Sequence, residues 1–372
     1  MKKAVLVGVR YTRFDETYRI QVKGIPEQAP LGASASLPTP HKDCDTMANL
    51  LVDVYGFERK NIVMLKDDGT ATDPTRENII SALKELVRDA SEGDQLAFHF
   101  SGHGSQIASN NENEVDGFDE IILPSDVKYN PNEEAWSVKE LENYIVDDEL
   151  NDILEKGLPS GVRLTVIMDC CHSGTGMDLP YDSTTNLELL TSPIAEPGSA
   201  PFSFPTSDLE GRRESVSSVQ DRRPKKMATL KPKLPFVGIV ESAGAKETPG
   251  EEDASLHGLQ IRTLKKGHDG FDEERSQYLT YWAACVDNEV TIEDTSGGGI
   301  LTMALDNALR KKKERTHHEL LVEIRRSFAG VATKAKEYMA KAHHDENFNM
   351  KPFPVFASNV PLKQIAKEPF SF

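Results

Sequence analysis

Two stretches of this chain set the terms for its fold. In Gln95-Leu96-Ala97-Phe98-His99-Phe100-Ser101-Gly102-His103-Gly104 an apolar run ends at a Gly-flanked histidine. In Thr165-Val166-Ile167-Met168-Asp169-Cys170-Cys171-His172-Ser173-Gly174 a second run ends at an acid, two cysteines and a histidine. Apolar runs of this length, bounded by turn residues, are the pattern of strands buried on both faces. Such strands belong to parallel sheets covered by helices. The polar residues that follow them therefore stand at carboxyl ends, where ligands gather in α/β sheets.

The rest of the chain supports that sheet. Lys3–Val9 reads as a first strand and Tyr11–Pro40 as loop. Met47, Leu50, Leu51 and Val54 fall on one face of a helix over Asp43–Tyr55, which Gly56 stops; Asn61–Leu65 is the next strand. Asp73 as cap and Pro74 as first helical residue start a helix that Ile79, Ile80, Leu83, Leu86 and Val87 carry to Ala90. After the strand Gln95–Ser101, a turn at Asp116-Gly117-Phe118-Asp119 leads into Glu120–Leu123. Asp147-Asp148 opens a helix to Lys156 with acids at its positive end, and Arg163–Asp169 is a strand. From Ser183 to about Gly270 the composition shifts to Pro, Ser, Gly and charge, the pattern of a flexible insert. Order returns with strand Tyr278–Ala284, helices Ile300–Lys312 and His318–Val331 or beyond, and a strand at Val355-Phe356-Ala357. The expected division is 1–182, a linker over 183–270, and 271–372.

The formal net charge of -17 argues against general nucleic-acid binding, which needs basic patches. Cations or basic peptides suit such a chain better. No apolar run approaches the roughly 20 residues of a membrane span. The Lys2-Lys3 and apolar start is followed at once by Arg10 without a cleavage signature, so a strand is expected there rather than a signal peptide. Four cysteines in 372 residues make no disulfide framework, and reduced thiols with a cytoplasmic or nuclear location are expected.

A nucleophilic cysteine needs thiolate character and a proton donor for its leaving group, and a histidine near neutrality serves both needs. Cys171 and His103, on separate loops at one sheet edge, could form that pair. Gly102, Gly104 and Gly174 allow backbone N–H groups to approach a carbonyl closely. Zinc is the rival use of Cys170, Cys171, His172 and His103, but adjacent cysteines share a tetrahedral ion poorly and no second ligand pair follows. His317-His318 and His343-His344 sit in charged, helical-looking surface segments and read as inert. The basic residues Arg212, Arg213, Arg222, Arg223, Lys225, Lys226, Lys231 and Lys233 within the insert read as solvated linker.

The blocks His99–Gln106 and Asp169–Thr175, in this order, resemble the two signature blocks of metacaspases, the caspase-fold cysteine peptidases of plants, fungi and protozoa. Asp116–Glu120, Pro124-Ser125-Asp126 and Val146–Leu150 fit as well. The resemblance covers Lys3–Asp182 well and Tyr278–Asn359 more loosely. It implies a caspase-like three-layer α/β fold, with 1–182 as the larger catalytic region and 271–372 as the smaller region completing one domain. It implies His103 as catalytic histidine, Cys171 as nucleophile, and Gly104 and Cys171 as oxyanion-hole donors. It implies cleavage after Arg or Lys in protein or peptide substrates, read by an S1 pocket of Asp43, Ser101 and Asp169. A carboxylate pair suits a guanidinium and repels a P1 aspartate. It also implies Ca²⁺ held by Asp126, Asp147, Asp148 and Asp178, hard oxygen ligands from several loops. The basic cluster becomes a self-cleavage region, and the expected state is a monomer.

Two features depart from the family pattern. Its accessory cysteine falls on Pro40, and the sequence shows no Pro/Gln-rich prodomain or amino-terminal zinc finger, which leaves the subtype open or marks a trimmed chain. Two other readings stand beside the calcium-activated peptidase: a legumain-like peptidase of the same fold, and a scaffold for misfolded or aggregated clients.

Overall fold

The computed structural model describes residues 1–12, 36–108, 118–127, 142–170, 177, 179–183, 230–232, 278–285, 292–294, 298–343 and 353–372. Its strands are β1 (Lys2–Gly8), β2 (Ile62–Lys66), β3 (Gln95–Ser101), β4 (Gly104–Ala108), β5 (Phe118–Ile122), β6 (Ile145–Val146), β7 (Arg163–Asp169), β8 (Tyr181–Asp182), β9 (Leu230–Pro232), β10 (Tyr278–Ala283), β11 (Ile292–Asp294), β12 (Gly298–Gly299) and β13 (Val355–Ser358). Its helices are α1 (Pro40–Asp53), α2 (Arg76–Val87), α3 (Asp147–Leu154), α4 (Ile300–Lys311), α5 (His317–His343) and α6 (Leu362–Ile365).

One sheet carries the order β2-β1-β3-β7-β10-β13-β8. Its first five strands are parallel, and β13 and β8 are antiparallel additions. Strand side chains alternate between two cores, as a period of two requires. Val5 and Val7 face Ile79, Leu83 and Leu86 of α2 and Leu150 and Leu154 of α3. Ala4 and Leu6 face Met47, Leu50 and Leu51 of α1, with Leu301, Leu305, Ile324 and Phe328 of α4 and α5. This is the three-layer, mostly parallel α/β arrangement expected. Both sequence regions flanking the insert supply strands to the one sheet, because β10 lies between β7 and β13.

Several boundaries differ for physical reasons. Helix α1 starts at Pro40 rather than Asp43, because a proline in the first turn lacks only an N–H that the helix leaves unused. Helix α2 is capped by Thr75, whose hydroxyl accepts from the Asn78 N–H at 3.2 Å, so neither Asp73 nor Pro74 holds the place expected of it. Strand β4 is not among the expected strands; it pairs with β5, which pairs with β6, in a small antiparallel sheet. Within the insert, β9 pairs with β11, so residues 230–232 have a strand partner there. Ser183 is buried, and its hydroxyl accepts from the Phe356 N–H at 3.0 Å, which anchors this residue to β13.

Candidate active site

Strands β3 and β7 are neighbours, and Ser101 is the register partner of Asp169. The two signature stretches therefore leave the sheet side by side at its carboxyl edge. His103 is two residues past Ser101, and it is buried. Cys171 is two residues past Asp169 in sequence; Cys171, His172 and Asp178 lie outside the described residues. Cys170 is buried, and its carbonyl faces the Cys285 thiol at 3.6 Å. Gly104 opens β4 opposite Ile122 and is buried.

His103 is held by a residue that sequence reading left in a loop. The Tyr11 ring lies 4.7 Å from the His103 imidazole at 35°. The Tyr11 hydroxyl accepts from the His103 backbone N–H at 2.8 Å and donates to the Leu123 carbonyl at 2.6 Å. Burial pushes the Tyr11 hydroxyl well above its ordinary pKa, so it remains a donor. Asp67 fixes the backbone behind it, accepting from the N–H groups of Arg10 (2.8 Å) and Tyr11 (2.9 Å) and facing His41 Nε2 at 2.6 Å. Burial pushes Asp67 up, but these bonds outweigh it and leave its carboxyl below the usual range.

The structure brings Asp43, Ser101 and Asp169 together. All three are fully buried, and Ser101 Oγ donates to Asp43 Oδ2 at 2.7 Å. The acids also meet the start of α4. Asp43 Oδ1 accepts from the Gly299 N–H at 2.8 Å. Asp169 Oδ2 accepts from the Thr302 N–H at 2.9 Å and its hydroxyl at 2.8 Å. A helix start has orphan N–H groups and a positive dipole end, and these carboxylates satisfy both. Because the Thr302 hydroxyl donates to Asp169, it receives the proton of His99 Nε2, 2.9 Å away. A Cβ on Gly299 would lie 2.2 Å from Asp169 Oδ2, so only glycine fits that approach. The acids expected to line S1 thus hold the chain's own N–H groups in this conformation and face no solvent.

Tyr11, His99, Gly299 and Thr302 were missed in the sequence as parts of this site. The run Gly297-Gly298-Gly299 before an apolar helix was the one available signal, since glycine permits close backbone approach.

Of the four acids expected to hold Ca²⁺, three can be placed. Asp126 Oδ1 accepts from the Arg76 N–H at 2.8 Å, and Asn143 Nδ2 reaches Asp126 Oδ2 at 3.3 Å. Asp147 and Asp148 open α3, where the Asp148 N–H donates to Asp147 Oδ1 at 2.9 Å. Arg76 ties these segments together, its guanidinium donating to the Tyr144 carbonyl and to Glu149. Among the described residues no three acidic, histidine or cysteine side chains converge as a metal site. The described acids alone therefore do not make a cage. Of the basic cluster, Lys231 lies in β9 opposite Glu293. Arg212, Arg213, Arg222, Arg223, Lys225, Lys226 and Lys233 lie outside the described residues.

No described helix is long and apolar enough to cross a membrane. Residues 2–180 match the family model described as "Metacaspase, peptidase C14 domain". Metacaspase-1 of Cryptococcus neoformans is 28% identical over 357 residues, covering 93% of this chain and 64% of the relative. Metacaspase-1B of Aspergillus fumigatus is 34% identical over 284 residues, 71% of this chain and 62% of the relative. Metacaspase-1A of Neurospora crassa is 34% identical over 225 residues, 59% of this chain and 43% of the relative. The chain thus spans 43% to 64% of the length of these relatives. Caspase-1 from Spodoptera frugiperda superposes with a TM-score of 0.41 at 10% identity, covering 99% of this chain and 88% of that one. Over residues 2–180 the chain thus carries a metacaspase-type peptidase C14 domain.

Proposed function

We propose that the chain is a cysteine endopeptidase that cleaves after Arg or Lys, is activated by Ca²⁺, and cuts itself in the insert. The observation that carries this reading is the pairing of Ser101 with Asp169, which ends the strands preceding His103 and Cys171 at one sheet edge. In this reading His103 takes the Cys171 thiol proton, and the thiolate attacks the scissile carbonyl carbon. The N–H groups of Gly104 and Cys171 hold the oxyanion. His103 then protonates the leaving amine, and water hydrolyses the thioester.

The buried acids Asp43 and Asp169 support the basic P1 preference, since two carboxylates on adjacent segments match a guanidinium's paired donors. Segment 298–302 must yield its hydrogen bonds for a P1 side chain to reach them. Asp126, Asp147, Asp148 and Asp178 would supply the all-oxygen ligands that Ca²⁺ takes, drawn together around the cation as it binds. The cleavage region is the basic cluster from Arg212 to Lys233, in a protein acting as a monomer in cytoplasm or nucleus on protein substrates.

The test is hydrolysis of Arg-, Asn- and Asp-terminated fluorogenic peptides with and without Ca²⁺. The expected result is Ca²⁺-dependent Arg cleavage that Cys171→Ala abolishes. Activity persisting in Cys171→Ala would overturn the nucleophile. Preference for Asn would favour a legumain-like specificity, and preference for Asp would overturn the S1 assignment.

A further inference from the structure

The place where β1 ends is unusual. Strand β1 delivers Val9, whose N–H donates to the Ser101 carbonyl at 3.0 Å, and two residues later the backbone turns left-handed at Tyr11, with φ of 58°. A bulky aromatic residue rarely adopts that conformation and does so at an energetic cost. Asp67 holds the turn by gripping both the Arg10 and Tyr11 N–H groups through its two carboxylate oxygens.

The turn aims one side chain at one place. Tyr11 lies over the His103 imidazole, and its hydroxyl joins the backbones of His103 and Leu123. Those two segments already bond each other, the Leu123 N–H donating to the His103 carbonyl at 3.1 Å. The hydroxyl closes that contact into a ring of three hydrogen bonds. Room for it exists because residue 102 is glycine: a Cβ there would lie 2.8 Å from the Tyr11 oxygen. A tyrosine serving only as core filler needs neither the left-handed turn nor the glycine.

We propose that Tyr11 is a positioning residue for His103. Its ring sets the plane of the imidazole, and its hydroxyl pins the loop that carries it, so that His103 is held in one orientation before substrate binds. Holding a proton carrier in its working geometry removes a search from the chemical step, and a displacement of about 1 Å can cost about 100-fold in rate. The expected signature is a loss in kcat rather than in KM, because Tyr11 contacts the proton carrier.

This inference rests on the reading of His103 as the proton carrier, and the test separates the two. Full-length protein with Ca²⁺ is assayed on the Arg peptide, and the alkylation of Cys171 by iodoacetamide is followed by mass spectrometry. The variants are His103→Ala, Tyr11→Leu and Tyr11→Phe. Tyr11→Leu should lower kcat about 100-fold at nearly constant KM and slow Cys171 alkylation. Tyr11→Phe keeps the ring and should rescue part of that loss, to within about tenfold of the parent.

The proposal fails if folded Tyr11→Leu keeps the parental kcat and alkylation rate. It also fails if the lost activity only follows the lost folded fraction. Should Tyr11→Leu not fold, Tyr11→Phe decides, and a parental kcat with parental alkylation in that variant overturns the proposal. A fully active His103→Ala sinks the proton-carrier reading itself and the inference with it. An inactive His103→Ala beside an unaffected Tyr11→Leu sinks the inference alone.

Discussion

His317 is the first residue of α5, in a pair that reads from sequence as charged helix surface. In the fold it is buried between Trp282, Phe356 and Phe370, with ring centroids at 6.4, 5.5 and 5.4 Å. Its Nδ1 meets the Glu368 carbonyl at 3.0 Å. Burial, helped by the nearby Arg163 charge, lowers its pKa to about 4. The sign of the linkage follows. The unfolded histidine, near 6.5, binds a proton first as pH falls, so protons favour unfolding between about 6.5 and 4. Stability is full above that window, and about 3 kcal/mol is lost on crossing it. Urea midpoints measured against pH should fall across this range in the parent and stay flatter in His317→Phe. Equal slopes in both proteins would remove His317 as the cause. No local sequence signal revealed this burial, because the packing partners come from β10, β13 and the C-terminal segment. Tyr11 was hidden for the same reason, its hydroxyl contact to His103 spanning 92 residues.

Strands β3 and β7 were legible to the residue, because a two-sided buried strand writes an unbroken apolar run and the sheet allows no other use for it. Strand β4 was not, since Gly104-Ser105-Gln106-Ile107-Ala108 is short and mostly polar, and pairing across to β5 creates it. The start of α4 shows the same limit. Its apolar face announced the helix, but nothing near Thr302 in sequence announced a carboxylate 133 positions earlier. Thr302→Val keeps the shape and the N–H contact while removing the hydroxyl from both Asp169 and His99. Leaving buried polar groups short of a partner should cost about 1 to 3 kcal/mol, read as a lower urea midpoint with an unchanged m-value. An unchanged midpoint would show that this hydroxyl contributes nothing to the helix start.

Across the whole molecule, the insert interrupts the sequence without interrupting the sheet. Strand β10 pairs with β7 in register from Tyr278 opposite Arg163 to Ala283 opposite Met168. Leu164, Val166, Leu279, Tyr281 and Trp282 are buried along that seam. Ser183 is tied in as well, by the Phe356 N–H and by Arg325 at 3.1 Å. Burial on this scale outlasts the loss of one peptide link, since apolar area carries about 25 cal/mol per Å². Trypsin cuts placed between Arg212 and Lys233 should therefore leave two pieces that co-elute in native gel filtration and separate only in denaturant. Separation under native conditions would show that the covalent link holds the halves together.

The carboxylates of Asp43 and Asp169, already bonded to Gly299 and Thr302, make recognition of a basic side chain an exchange of hydrogen-bond donors. An arriving cation competes with amides that the chain supplies at every instant and at fixed distance. Its apparent affinity is then set by a difference, and a side chain that replaces donors on both acids at once has the advantage over one that reaches a single acid. A planar guanidinium offers five N–H groups in a fork, whereas an ammonium offers three around a point. Under the proposed specificity, the discrimination between arginine and lysine would be written into how firmly the first turn of α4 holds its own acids.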